Sequence, residues 1–400
     1  MSQRCRQSSP SELEFLNKDL IAEILSRLPV KYLMQMKCIS KTWNTLISDP
    51  EFVKLHLSRS AQNTYLWSLV SKHANNDNYY SFVHFPVNRL IENLSITAPK
   101  DPYFRLDDKH CSEIVGCCNG LVCLFGYSLN KTTKHKQMWL RFWNPATRKI
   151  SDKLGSDFYF DDNRYGWKYD SKFVFGYDDS TDTYKVVAVN LFSNKVRVFS
   201  LGDNVWRTIQ SLPMVTLRLL NNSVVYDGVH LCCTINWLVY LPGLWKDDPD
   251  RKFVIISLDL DTETYTEMLP PQGVSSEDVS RGKGNVCVLM ESLCFYHDFN
   301  ETDFVVWKMT EFGDGDSWVQ IFKFSYSKIR MNYRLGPRLP IKLSPLHLSK
   351  DGETLIMANN LQDQAILYNR RTNKAKKTRI NKKIRWFLIT DYVESLVSPS

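Results

Sequence analysis

The hydrophobic pattern of this chain changes period once, just before residue 60. Ahead of that point apolar residues recur at helical spacing. In NKDLIAEILSRL, residues 17–28, the side chains of Leu20, Ile21, Ile24, Leu25 and Leu28 fall on one stripe of an α-helix. Asn17 suits the N-cap, Asp19 complements the positive helix end, and Pro29 stops the helix because it lacks an amide donor and disfavours helical backbone at Leu28. A short second helix carries Leu33 and Met36, and Ser40 caps a third that presents Trp43, Leu46 and Ile47. Asp49, Pro50 and Glu51 open a further helix with Phe52, Val53 and Leu57. Three or four short helices in about 45 residues have too much surface for their volume to bury all these side chains among themselves. A partner surface is implied.

Beyond His56 short apolar runs alternate with Gly, Asn and Asp, the pattern of an all-β domain. Among the strand candidates are TYLWSLV from 64, EIVGCCNGLVCLFGY from 113, HLCCTINWLVYL from 230, NVCVLMESLCFYH from 285 and RWFLITDY from 385. Five strand-turn-strand units form a weak repeat: RFWNPATRKI, RVFSLGDNVWRTI, ISLDLDTETYTEM, VWKMTEFGDGDSWVQI and ILYNRRTNKAKKTRI. Their turns recur about every 50 to 60 residues, the spacing of propeller blades with long loops, and with the strands of 64–106 they predict a β-propeller of about six blades. Radial stacking buries both faces of each sheet, which an isolated sheet leaves open. The last strand, near Trp386, is placed to close the ring against the first, near Tyr65, with an open sandwich as the alternative. The chain thus divides into a disordered N-terminus over 1–10, a helical module over 11–58, a β domain over 59–395 and a tail over 396–400.

The formal charge of +8 invites a nucleic-acid reading until it is located along the chain. Nine basic residues and no acidic one lie between Arg370 and Arg385, and the rest of the chain is close to neutral. A nucleic-acid binder spreads basic residues over a face with aromatic platforms among them, so the segment reads as a solvated β-turn and its edge rather than a nucleic-acid surface, with a nuclear-import signal or a partner patch as the alternative. No signal-peptide core and no run of about 18 apolar residues occurs, so the expectation is a soluble intracellular protein, without a membrane span and with reduced cysteines.

Catalytic motifs are missing: there is no GxSxG, HExxH or Walker sequence. Cys111, Cys117, Cys118 and Cys123 with His110 do not follow zinc spacings, so neither a metal nor a cofactor is expected. The acidic pairs Asp161/Asp162, Asp178/Asp179 and Asp247/Asp248 read as solvated turns. Tryptophans 143, 206, 237, 307 and 318 read mostly as blade core, whereas Trp167 and Trp245 sit in loop-like stretches, where exposed aromatics serve as binding anchors. Those acidic and aromatic loops leave a propeller-type carbohydrate-binding or hydrolytic protein as a rival reading.

From Leu16 the stretch LNKDLIAEILSRLPVKYLMQMKCISKTWNTLISDPEFVKLHL resembles the plant F-box motif over nearly its whole length, departing from it at Asn17, Met34 and Met36. The resemblance implies docking to the Skp-type adaptor of a cullin–RING ubiquitin ligase, with Leu16, Leu20, Ile24, Leu28, Pro29, Val30, Leu33 and Met36 as the adaptor-binding set, and Leu25, Trp43 and Ile47 as core. The phrases GCCNGLVCL, FWNPATRK, FGYDDSTDTYKVV, INWLVYL, DLDTETYTEM and PLHLSKDGETLIM, within 110–375, resemble the F-box-associated interaction domain of plant F-box proteins, kelch-like in its repeat. That resemblance implies a non-catalytic receptor, in nucleus or cytoplasm, whose β domain recruits a target protein for ubiquitination. A scaffold that uses the F-box without degradation is the further alternative.

Overall fold

The computed structural model describes residues 18–62, 68–74, 80–86, 95–96, 106–108, 111, 113–129, 136–156, 171–190, 193–212, 228–240, 253–275, 279, 284–329, 343–359, 365–377, 379–380 and 390–399. Four helices come first: α1 Lys18–Leu25, α2 Val30–Lys37, α3 Lys41–Ser48 and α4 Pro50–Gln62. The expected break and the caps that fall within the described residues are in place; Asn17, the cap expected for α1, lies outside them. Pro29 separates α1 from α2, Ser40 Oγ accepts the Trp43 amide at 3.2 Å, and Asp49 Oδ1 accepts the Glu51 amide at 2.9 Å. α4 runs on to Gln62, past the domain boundary read at 58.

The β domain forms six four-stranded antiparallel sheets among the described residues. Blade 2 contains Glu113–Cys118, Leu121–Leu129, Lys136–Asn144 and Lys149–Ile150; blade 3 contains Ser171–Asp178, Thr183–Asn190, Val196–Ser200 and Val205–Ile209. Blade 4 contains Gly228–Leu231, Thr234–Tyr240, Phe253–Asp259 and Tyr265–Met268. Blade 5 contains Gly284–Leu289, Ser292–Phe299, Asp303–Met309 and Trp318–Ser325, and blade 6 contains Leu343–Leu348, Thr354–Asn359, Ala365–Asn369 and Lys374–Lys377. Blade 1 is built from both ends of the chain: Thr390–Tyr392 is its inner strand, followed by Ser68–Ala74, Tyr80–Pro86 and Leu106–Asp108.

The six inner strands contact one another in a closed cycle, from Thr390–Tyr392 through blades 2 to 6 and back. This is a propeller ring, and its closure is an antiparallel pairing of Ser68, Leu69 and Val70 with Tyr392, Asp391 and Thr390. A late strand therefore closes on an early one as the sequence predicts, through 390–392; Trp386 and Tyr65 lie outside the described residues. Each of the five repeated units is the outer hairpin of one blade.

Three long apolar runs divide into hairpins where the sequence shows continuous strands. Asn119 and Gly120 turn the first, Cys232 and Cys233 the second, Met290 and Glu291 the third. All six residues have positive φ, from 48° at Cys232 to 79° at Gly120, as tight hairpin turns require. Packing between sheets fills the core: Phe142 of blade 2 lies 5.5 Å from Phe175 of blade 3, and Phe324 of blade 5 stacks on Tyr368 of blade 6 at 4.1 Å. Trp143, Trp206 and Trp237 are buried, while Trp307 and Trp318 pack half-buried against the interface of blades 4 and 5.

His347, at an irregularity of the inner strand of blade 6, has its pKa lowered to about 4 by burial. The folded state therefore favours the neutral imidazole. The resulting stability is complete above the unfolded pKa of about 6.5 and is lost as pH falls towards 4, an effect of roughly 3 kcal/mol. Burial also lowers the pKa of His56 and His230, which adds in the same direction. The expected result is a falling urea midpoint between pH 6.5 and pH 4, flattened in His347→Leu; equal slopes in the two proteins would refute it.

Candidate docking interface

Helix α1 has two apolar ridges. Ile21 and Leu25 point towards a cluster of Leu25, Val30, Leu33, Ile47 and Phe52, joined from the β domain by Ala146 and Leu396. Leu20 and Ile24, one turn apart, stay in solvent at 50% and 54% exposure. Tyr32 and Ile39 are also exposed, at 54% and 72%. The helix is held by Glu23, which accepts from Arg27 at 2.6 Å and from Arg59 of α4 at 2.9 Å. Buried His56 places Nε2 3.0 Å from the Leu28 carbonyl, tying α4 to the α1–α2 corner. Leu20 and Ile24 thus form an exposed aliphatic pair on a helix that is held firmly from its other side.

The adaptor-binding set predicted from sequence divides on this geometry. Leu20 and Ile24 are open; Leu28, Pro29 and Met36 are half-buried; Leu16 lies outside the described residues. Val30 and Leu33 are fully buried and must be corrected: they fill the seam between helices and propeller and support the outer surface without forming it. Leu25 and Ile47 are core, and half-buried Trp43 packs against it. Tyr32 and Ile39, the other exposed apolar residues of the module, are not in the set expected from sequence.

Where the module sits fixes which face of the propeller it leaves open. Ala146 lies in the turn between the third and fourth strands of blade 2, and Lys54 of α4 pairs with Asp182 at 2.7 Å in the turn between the first two strands of blade 3. Both turns are at the same end of their blades. The second strand of blade 4 ends at Tyr240 and its third begins at Phe253, so both termini lie at the opposite face, as does the start of blade 3 at Ser171. Trp167 and Trp245 themselves lie outside the described residues.

No catalytic constellation emerges from the candidate chemistry among the described residues. Cys118 Sγ approaches His230 Nδ1 at 3.8 Å, but burial pushes the thiol up to about 12, and His230 Nε2 is engaged by the Tyr177 backbone at 3.0 Å. Burial likewise holds the Cys123 thiol well above its usual range. Among the described residues no group of three or more His, Cys, Asp or Glu side chains is placed to hold a metal. Asp178, read as a solvated turn residue, is fully buried and paired with Lys185 at 2.7 Å. Of the basic segment, Arg370 and Arg371 lie in the turn and Lys374, Lys376 and Lys377 are exposed on the outermost strand of blade 6, whereas Arg379 pairs in parallel with Ser95 and Lys382, Lys383 and Arg385 lie outside the described residues. No helix among the described residues is long and apolar enough to cross a membrane.

Comparison with known proteins matches residues 13–55 to the F-box domain and residues 74–399 to the F-box associated beta propeller domain. An F-box/kelch-repeat protein of Arabidopsis thaliana is 27% identical over 321 residues, covering 76% of this chain and 78% of its own length. The F-box protein CPR1 of the same plant is 25% identical over 364 residues, covering 86% and 79%. Among solved structures, a chain of a nidogen/laminin complex aligns over 82% of this chain and 99% of its own, with 10% identity and a TM-score of 0.40.

Proposed function

Since the chain belongs to the plant F-box proteins that carry an F-box associated beta propeller domain, we propose that it is the substrate receptor of a Skp–cullin–F-box ubiquitin ligase. The observation that carries this reading is the pair Leu20 and Ile24, solvent-facing on a helix whose other ridge is packed into the module. In this role α1 seats those side chains in an apolar groove of a Skp-type adaptor, with Leu16, Leu28, Pro29 and Met36 at its border. The propeller holds a target protein on the face away from the helices, with Trp167 and Trp245 as anchors. Ubiquitin transfer then follows from proximity, and the receptor itself contributes no nucleophile. A receptor working with this machinery resides in the nucleus or the cytoplasm.

The direct experiment is capture of purified adaptor by the full chain and by the chain lacking residues 11–58. Strong capture by the first and none by the second is expected; equal capture would end the adaptor reading. Affinity purification from cells with the proteasome and cullins inhibited then identifies targets. Those lost from the Trp167→Ala/Trp245→Ala protein while adaptor is retained are the ones held by the proposed anchors.

A further inference from the structure

The inner strand Thr390–Tyr392 that closes blade 1 leads into residues 393–398, which run between blade 2 and the helices. On the propeller side the segment is held by a fully buried asparagine. Asn144 Nδ2 donates to the Ser395 carbonyl at 3.0 Å and to the Val397 carbonyl at 2.8 Å, and its Oδ1 accepts the Thr147 amide at 3.1 Å. Tyr392 Oη accepts the Ala146 amide at 3.1 Å. Gly120, at φ +79°, leaves room for the segment: a Cβ there would stand 2.5 Å from the Val393 carbonyl oxygen.

On the helical side the same segment reaches the core of the module. Glu394 Oε2 accepts the amide of Val30, the first residue of α2, at 3.4 Å. Leu396, 7% exposed, fills the cluster of Leu25, Val30, Leu33, Ile47 and Phe52. Two domains of one chain move relative to each other unless a hydrophobic interface holds them, and here a single apolar cluster is shared by both.

We propose that residues 393–398 are a strap that sets the orientation of the helical module on the propeller, with Asn144, Glu394 and Leu396 as positioning residues for ubiquitin transfer. The inference rests on the receptor reading for its purpose and on the contacts above for its geometry. Adaptor docking needs only the surface of the helical module, whereas transfer to a bound target also needs the propeller at a fixed angle to the adaptor. The strap is built to supply that angle, because one short segment satisfies the polar groups of blade 2 and completes the core of the helices.

The exposed ion pair between Lys54 and Asp182 lies away from the strap and reports the docking angle, since a carbodiimide joins an amine to a carboxylate only when they touch. The test uses the full chain as wild type, Leu396→Asp and the milder Leu396→Ala. Expected are a loss of Lys54–Asp182 cross-link of roughly tenfold for Leu396→Asp and a smaller loss for Leu396→Ala. For Leu396→Ala, adaptor affinity and the cooperative melt of the β domain should stay at wild-type values. In a reconstituted ligase, the propeller lysines that receive ubiquitin should be few in the wild type and spread over more positions in the variants. Cross-linking at the wild-type level in both variants overturns the strap; if Leu396→Asp loses its folded signal, Leu396→Ala alone decides. A wild-type chain that cross-links fully but binds no adaptor overturns the receptor reading and leaves the strap standing.

Discussion

Replacing both Leu20 and Ile24 by aspartate is expected to abolish adaptor binding while leaving the protein folded. Both side chains are about half exposed, so the substitutions remove little packing from the chain itself. In the complex each would place a carboxylate in a desolvated apolar groove. Hot-spot residues at the centre of such a contact are worth about 2 kcal/mol or more apiece, so the pair should weaken binding by roughly a thousandfold. Titration of purified adaptor, with a thermal melt of the free variant, measures both halves of the statement. Retention of wild-type affinity would show that α1 does not carry the docking surface. Leu33→Asp is the informative contrast: Leu33 is fully buried, so that variant should lose the fold of the module as well as binding.

The largest expected loss of stability comes from Asp178→Ala. Asp178 Oδ2 pairs with Lys185 Nζ at 2.7 Å inside blade 3, and the same ammonium donates to the Leu260 carbonyl of the neighbouring blade at 2.5 Å. Ser180 Oγ and Thr181 Oγ1 donate to the Asp178 carboxylate as well, at 2.8 Å and 2.6 Å. Burial pushes this carboxyl up, but the bonds from Lys185, Thr181 and Ser180 outweigh it and hold the pKa well below the usual carboxylate range. Its contribution to stability is therefore present above about pH 4 and is lost as pH falls further. Alanine would leave a nearly buried ammonium without its counter-charge, at a cost of about 3 to 5 kcal/mol. Adding Lys185→Met should recover a large part of that, because it removes the stranded charge. Urea unfolding of both variants checks the pair of expectations, and a single substitution that costs less than about 1 kcal/mol would contradict them.

Much of this architecture is written locally. The change of period before residue 60, Ser40 and Asp49 as caps, Pro29 as a break and the five outer hairpins all follow from residues a few positions apart. What escaped depends on distant partners. The stripe of Leu20, Ile21, Ile24 and Leu25 is too broad for sequence to say which ridge faces inward. Contacts made by Ala146 and Leu396, more than a hundred residues away, complete the buried side. The same seam turned Val30 and Leu33 from expected contacts into core, and it placed Leu396, read as the start of a tail, among the helices. Asp178 looks like one half of a solvated pair until Lys185 is brought opposite it. The turns at Cys232–Cys233 and Met290–Glu291 carry no Gly, Pro or Asn, so the apolar runs around them read through without a break.

Ring closure by Thr390–Tyr392 also has a consequence for synthesis on the ribosome. Blades 2 to 6 are each made of consecutive strands and can form as they emerge. The strand Ser68–Ala74 must wait for a partner more than 300 residues later. At about 5 to 20 residues per second that wait lasts roughly 15 to 60 seconds. Throughout it the first blade has an open backbone edge, the helical core lacks Leu396, and α1 already displays its aliphatic ridge. A nascent chain of this kind is a natural client for chaperones, and under the proposed function an adaptor captured early would meet an unfinished receptor.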